Sequence, residues 1–413
     1  MATRYDIAVI GAGIAGSAFA TVAASHGAEV LVLERQTSYR DKVRGEYLHP
    51  WGVAEARRLG VEDALLGAGG TWITHAVGYD ELVPPEAAEA APFRFADLRP
   101  DVGGAMDVGH PAACQALADA AERAGSTMVR GIGDVRVTPG AAPRVRYELD
   151  DVEHEVEVRL VVAADGRASS VRRQLGLALH ETEPLTMGGG MLVEGLDRWP
   201  RDRASIGTED DGLYLVFPRH EGLARLYLLH SVRQRGRFAG AERQRAFLDS
   251  FRLRCLPYGD DIANTRPAGP LAFYPMNDSW VDRPSTPGVV LVGDAAGWND
   301  PIIGEGLSIA LRDARMVSDV VTGGVDWSDG AFDAYVEERA ERLRRLRICA
   351  RLQTALRCTF TQAGRQRRRA WMDGIGSDPL LLAPVSIAAV AGPDVPPPEA
   401  FAPDNIERIL ALC

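Results

Sequence analysis

The chain opens on a short apolar run, Asp6 to Ile10, rich in the β-branched residues that a strand buried on both faces requires, and a second such run follows from Glu29 to Leu33. The residues between them read as helix, so Tyr5 to Arg35 predicts a strand, a helix and a second strand. Two later runs share this character: Leu160 to Ala163, which leads to Asp165-Gly166 and a helix, and the strand opening at Gly288, which leads to Gly293-Asp294 and a long helix. Other stretches have a different rhythm. From Ile73 to Arg99 and again from Leu185 to Tyr274 apolar and polar residues alternate, with one helical piece at Ala241 to Arg254, which predicts strands of another sheet. Helices are expected at Trp51 to Leu66, punctuated by Gly60, and at His110 to Ala124, with strand-like segments from Met128 to Glu157. From Asp329 to Trp371 the chain reads mostly as helix; a proline-rich tail from Pro393 follows, irregular until a short helix near Asn405 to Leu412. The expected organisation is α/β: a Rossmann-like nucleotide-binding domain at 1–72, 100–184 and 288–325, an inserted β-rich substrate domain at 73–99 and 185–287, and a helical region at 326–413.

Between the first strand and its helix lie Gly11, Gly13 and Gly16, at GxGxxG spacing. The three do different things: Gly11 makes the turn, Gly13 lets a pyrophosphate approach the backbone, and Gly16 lets helix and strand pack closely. Free N–H groups of the first helical turn, around Ile14 and Ala15, then face the phosphates. Glu34 ends the second strand, where an acid can hydrogen-bond a ribose hydroxyl, and Arg35 follows it. With both strands and the acid present, the motif indicates a dinucleotide site. The loop after Arg35 lies along the same cofactor, and Arg44 is its natural phosphate or flavin partner. Asp165, at a strand's carboxyl end, is placed to contact the cofactor or to cap the following helix.

Composition narrows the chemistry. A net charge of −11 argues against nucleic acid or an acidic membrane as partner, and the cluster of Arg365 with Arg367 to Arg369 reads as a solvated face. Five scattered cysteines without CxxC spacing support neither a disulfide framework nor a metal site, and suit a reducing cytoplasm. The N-terminus runs straight into the first strand, leaving no room for a cleavable signal, and no run of apolar residues is long enough for a membrane span. Lys42 is the single lysine, so any mechanism needing a catalytic lysine must use it.

Taken together, GAGIAG with Glu34, LERQTSY followed by Arg44, the Asp165-Gly166 strand end, and Gly293-Asp294 with its helix resemble the FAD-dependent monooxygenases of the para-hydroxybenzoate hydroxylase type, over Tyr5 to Val321. The resemblance implies FAD as cofactor, with Gly11, Gly13 and Gly16 at its pyrophosphate, Glu34 at the adenosine ribose, Arg44 against the flavin or its phosphates, Asp294 on the ribityl chain, and Val135 near adenine. The backbone from Gly304 through Gly306 to Leu307 would face the pyrimidine edge of the isoalloxazine. There the helix N-terminus stabilises the negative charge of the reduced ring, by roughly 0.3–1 kcal/mol if exposed and about 2 when partly buried. His110 stands where the family usually has an arginine, and the loop after Asp294 runs Ala295-Ala296-Gly297 into PIIGEG, variants that resemble flavin halogenases and geranylgeranyl-reductase-like enzymes.

The reaction implied is that of a monooxygenase: NADPH or NADH binds transiently and reduces FAD, O2 adds at flavin C4a, and the hydroperoxide transfers oxygen to an aromatic or other electron-rich small molecule. The protein would be a monomer or homodimer. Trp298, Asn299, Asp300 and Pro301, in the loop between Asp294 and the flavin-facing helix, are the better candidates for the chemistry. His49, Tyr214, Arg219, His220, Tyr227, His230 and Tyr274 are candidates for phenol activation or carboxylate binding. Three alternatives remain open: a reductase that saturates isoprenoid double bonds, suggested by PIIGEG and Gly297; a halogenase, whose family uses a lysine where Lys42 is badly placed and a WxWxIP segment absent here; and a flavin-binding protein without catalysis.

Overall fold

The computed structural model describes residues 5–324, 326–327 and 330–413. The boundary expected at 325 and the helix start expected at Asp329 lie outside the described residues. The central sheet has six strands in the order Ser285–Thr286, Val289–Leu291, Leu160–Ala163, Ile7–Ile10, Val30–Glu34, Thr127–Arg130. All neighbours are parallel except the first pair. A parallel sheet is covered on both faces, which is why these runs are apolar without alternation. Helices Ile14–Ser25, His110–Arg123 and Gly306–Thr322 cover one face, and a small sheet of Val135–Thr138, Arg144–Leu149 and Val152–Glu157 covers the other. In-register pairing sets Ile10 beside Ala163 and Leu33, and Ala163 beside Leu291. The strands therefore end along one edge, and Gly11, Glu34, Asp165 and Asp294 emerge there together, although up to 283 positions separate them in the chain (294 − 11).

The alternating stretches form an eight-stranded sheet in the order Arg266–Pro267, Thr186–Glu194, Leu223–Ser231, Gly212–Pro218, Arg203–Glu209, His75–Val77, Phe93–Arg94, with Ala272–Met276 also on Thr186–Glu194. The 73–99 stretch contributes less strand than its pattern predicts: Pro85–Ala90 and Phe95–Leu98 are helical, the first because Pro85 presets the opening turn. Alternation divides this sheet into two environments. Tyr214 and Val216 point into a core with Phe247 and Phe251. Leu213 and Leu215 point the opposite way, toward Ile302, Ile303 and Leu346.

The helical region expected as one run is two helices, Asp333–Arg357 and Gln362–Gly374, separated where Thr361 caps the second by accepting from the Gly364 N–H. The arginine cluster is not simply a solvated face. Arg368 is 1% exposed and pairs with Asp80 and Glu81, and Arg365, one turn earlier on the same side, pairs with Glu81 as well. The tail closes with a turn at Pro398–Phe401 and the helix Pro403–Leu410.

Candidate functional site

In the turn after the first strand the three glycines differ in conformation and surroundings. Gly11 has φ of +100°, and a Cβ on it would press on the Ala164 carbonyl; a Cβ on Gly16 would collide with the Gly11 carbonyl; one on Gly13 would meet nothing within 4 Å. Gly11 and Gly16 thus fix the turn and the packing, and Gly13 leaves its side open to a ligand. Ile14 and Ala15 are buried in the first turn of a helix that has neither a side-chain cap nor an acidic residue there. Glu34 accepts from the Ala12 N–H at 2.7 Å and the Gln36 N–H at 2.7 Å, so its carboxylate ties the glycine turn to the end of the second strand. Arg35 is exposed just beyond it.

Beside this turn the Arg130 guanidinium lies 5.1 Å over the ring of Tyr39, whose hydroxyl donates to the Ala12 carbonyl at 2.6 Å. Both Arg130 Nη atoms are buried without a hydrogen-bond partner. Unpaired guanidinium donors next to an open glycine turn fit a phosphate- and ribose-bearing cofactor. Arg130 was not among the expected residues; its signal is the register, which sets it opposite Glu34 at the end of the neighbouring strand. Val135 stands at the start of its strand, with its carbonyl taken by Gln174 at 2.8 Å.

Asp165 takes the helix-capping role, one of the two expected of a strand-end aspartate. Its Oδ2 accepts from the Ser170 and Val171 N–H groups and so holds the start of helix Ser170–Gln174, while Oδ1 is buried and unpartnered. Asp294 accepts from Arg167 at 3.1 Å, and that guanidinium also lies 5.2 Å over Trp298. Arg167 directly follows Asp165-Gly166, a position that marks it in hindsight. Arg44 stacks over Tyr274 at 5.2 Å; burial and the like charge of Arg167 lower its proton affinity, and Asp294 offsets them. The Gly293 N–H donates to Asp313 at 2.9 Å. Asp313 is fully buried, yet Arg339 and Arg342 hold its carboxyl below the usual range. Arg339 also donates to the carbonyls of Gly293, Ala296 and Gly297, which pins the loop after Asp294.

That loop carries the four residues expected at the chemistry. Asn299 donates through its amide to Asp278, whose same oxygen accepts the Asp300 N–H at 2.8 Å. Trp298 Nε1 and Asn299 Oδ1 are buried without partners. Pro301 opens a turn that ends at Gly304, with φ of +70°. His49 reaches it from the other side of the crevice, its Nε2 3.1 Å from the Ile303 carbonyl and 3.7 Å from Glu305 Oε1. Burial pushes His49 down to about 4, so its ring is neutral at neutral pH. Glu305, just before helix Gly306–Thr322, is 1% exposed with neither carboxyl oxygen hydrogen-bonded, and burial holds its pKa well above the carboxylate range. Leu307 is buried in the first turn of that helix, and Gly306 is exposed before it.

The roof of the crevice comes from the eight-stranded sheet and the strand before His49. Tyr47 stacks on Phe217 at 4.5 Å and meets His49 edge-on at 4.9 Å. Arg225, fully buried, bridges Asp41 at 2.7 Å and Glu46 at 2.6 Å; Tyr227 donates to Glu46, and Arg219 pairs with Glu46 and Asp107. Tyr274 donates to the Lys42 carbonyl at 3.0 Å. Tyr214 and His230 lie on the far face of the sheet: Tyr214 donates to the Tyr79 carbonyl at 2.7 Å, and His230 packs against Phe238 and Phe273. His220 sits in the turn at His220–Gly222. His110 contacts the Gly45 carbonyl at 3.0 Å, and burial lowers its pKa, so a neutral ring stands where a cationic phosphate ligand was the family expectation.

A strand-end crevice with this glycine turn, these acids and a helix N-terminus defines a dinucleotide-binding oxidoreductase. Residues 4–347 match the family described as FAD binding domain, and the chain belongs to it as an FAD-dependent enzyme of the para-hydroxybenzoate hydroxylase type. It is 28% identical to the menaquinone reductase of Mycolicibacterium smegmatis, over 87% of this chain and 88% of that one. Digeranylgeranylglycerophospholipid reductase 2 of Methanothermobacter thermautotrophicus is 26% identical, over 91% and 90%. The fold is shared with p-nitrophenol 4-monooxygenase of Pseudomonas putida DLL-E4, at a TM-score of 0.78 and 19% identity, over 95% of this chain and 99% of that one. Among the described residues no helix is long and apolar enough to cross a membrane.

Proposed function

We propose that the protein is an FAD-dependent monooxygenase that uses NADPH or NADH and O2 to oxygenate an electron-rich, largely apolar small molecule held between helix Gly306–Thr322 and the eight-stranded sheet. The observation that carries this reading is the roof: Tyr47, Phe217, Tyr227 and Leu215 give an aromatic and apolar wall against the loop Trp298–Gly304. Such a wall excludes water and orients a flat substrate. When bound, FAD supplies the redox chemistry, taking electrons from NAD(P)H and passing them to O2. The chain's own groups hold it. Gly13 and the first turn at Ile14 and Ala15 take the pyrophosphate, Glu34, Tyr39 and Arg130 the adenosine end, and Asp294 with Arg167 and Arg44 the ribityl and flavin side. The N–H groups from Gly304 to Leu307 face the pyrimidine edge, where they stabilise negative charge.

A second reading, a reductase of carbon–carbon double bonds, is favoured by the two reductases named above, one of which acts on a geranylgeranyl lipid, and by PIIGEG. Lys42 is exposed on its loop, which lends halogenation no support. The test is turnover of the FAD-loaded enzyme with NADPH and candidate substrates in 18O2. Labelled oxygen in the product supports oxygenation; turnover that persists without O2 and adds hydrogen supports the reductase.

A further inference from the structure

Both readings consume a proton. Oxygenation is RH + O2 + NAD(P)H + H⁺ → ROH + H2O + NAD(P)⁺, and reduction of a double bond takes one hydride and one proton. In a site closed to water the chain itself must hold that proton. The single lysine, Lys42, is exposed on a separate loop, whereas the Asp300 carboxyl stands in the crevice loop with Asp278 bonded to its backbone N–H.

Asp278 and Asp300 are 8% and 9% exposed. Asp278 Oδ1 accepts the Asp300 N–H at 2.8 Å, so the two residues are locked to each other, and the amide of Asn299 joins the same oxygen. Asp300 Oδ1 accepts the Ile302 N–H at 2.9 Å, which leaves Oδ2 to carry a proton. The Asp278 charge, held against the Asp300 backbone, opposes ionisation of the Asp300 carboxyl. The groups facing Asp300 are Asp278, Arg167, and the half-buried Cys358 at the end of helix Asp333–Arg357; Arg347 faces Asp278. The same loop holds the unpartnered Trp298 Nε1 and Asn299 Oδ1, polar atoms that a bound ligand would satisfy.

We propose that Asp300 is the proton donor of the reaction, with Asp278 the positioning residue that keeps it protonated. The inference rests on the reading that this loop borders the flavin. In the oxygenase the Asp300 O–H bond breaks as an O–H bond forms on the oxygen atom that leaves as water. In the reductase the same proton goes to carbon while NAD(P)H is oxidised by hydride loss. The resulting carboxylate, repelled by Asp278, is reprotonated from solvent. Burial first and the Asp278 charge second raise Asp300 to about 7, close to the value that serves an acid at neutral pH.

The test uses the FAD-loaded enzyme and its Asp300→Asn and Asp278→Asn variants, all checked for FAD affinity. Infrared spectra from pH 5 to 9 should show a protonated carboxyl lost near pH 7 in the wild type, absent in Asp300→Asn, and lost at lower pH in Asp278→Asn. Dithionite-reduced enzyme mixed with O2, which takes up a proton to give H2O2, should reoxidise about 100-fold more slowly in Asp300→Asn at neutral pH. Asp278→Asn should move the alkaline fall of that rate to lower pH, a shift that a purely structural role would not produce. Reoxidation of Asp300→Asn at the wild-type rate, or an unmoved profile in Asp278→Asn, overturns the proposal. Protein that binds no FAD overturns the flavin reading and this role with it, whereas normal FAD binding with no carboxyl titrating near neutrality overturns this role alone.

Discussion

The two ends of the crevice are built by different means. The phosphate end is made of neighbours: Gly11, Gly13 and Gly16 lie within one turn and a half, and Glu34 closes on Ala12 through a single hydrogen bond. Its work is done largely by backbone shape: Glu34 is satisfied by two N–H groups, and only the Arg130 guanidinium beside it is left with buried, unpaired donors among the side chains described at this turn. The opposite end is made of distant side chains. Arg225 grips Asp41 and Glu46, Asp107 faces Arg219, Asp278 meets Asp300, and Glu305 sits beneath a helix start next to a neutral His49. Charges buried this way cost stability unless each finds a partner. One end is therefore a stable cradle, and the other is where protonation states are held away from their solution values.

The largest effect that would break this contrast is expected at Arg225. Arg225→Leu leaves Glu46 buried without its main partner and should cost about 3–5 kcal/mol in urea unfolding; a loss under 1 kcal/mol, the range of surface pairs, would mean the far end is no more dependent on buried charge than the surface. Next comes Asp294→Ala, which should fold but purify largely colourless, since the flavin side loses its strand-end acid; full yellow occupancy counts against that assignment. A matched pair sharpens the cradle. Gly16→Ala should destabilise by about 1–3 kcal/mol through overpacking, whereas Gly13→Ala should leave apo stability within about 0.5 kcal/mol and weaken FAD binding instead. Equal behaviour of the two variants would contradict the separate roles given to these glycines.

The smallest effect is a slope. Glu305 keeps its proton to higher pH when folded than when unfolded, so the folded chain binds more protons as pH rises above the ordinary glutamate range, and stability falls through that window. Asp300 adds a fall of the same sign between its ordinary 3.8 and about 7. Glu305→Gln should match wild type at pH 4 and become relatively more stable as pH climbs; parallel pH profiles would show that Glu305 is ionised in the fold.

What could be read from the sequence follows the same division. The glycine turn, Glu34, and the strand ends at Asp165 and Asp294 were legible because their geometry is local or repeats at each strand end. Tyr214 and His230 looked like substrate residues because a strand's period does not say which face meets the site; the register of Gly212–Pro218 against Leu223–Ser231 turns both toward the helical core. Arg130 and Arg167 escaped because ordinary arginines mark no pattern until pairing brings them to the crevice. Arg368 looked solvated for the converse reason: its partners, Asp80 and Glu81, lie 288 and 287 positions away.

Either proposed activity requires that strand ends from far along the chain close around a single FAD. Titrating flavin-free protein with FAD, followed by quenching of flavin fluorescence, tests that closure directly. An equimolar endpoint that Asp294→Ala weakens is the predicted result. Fluorescence that stays that of free FAD at every protein concentration, with the chain folded, would contradict it.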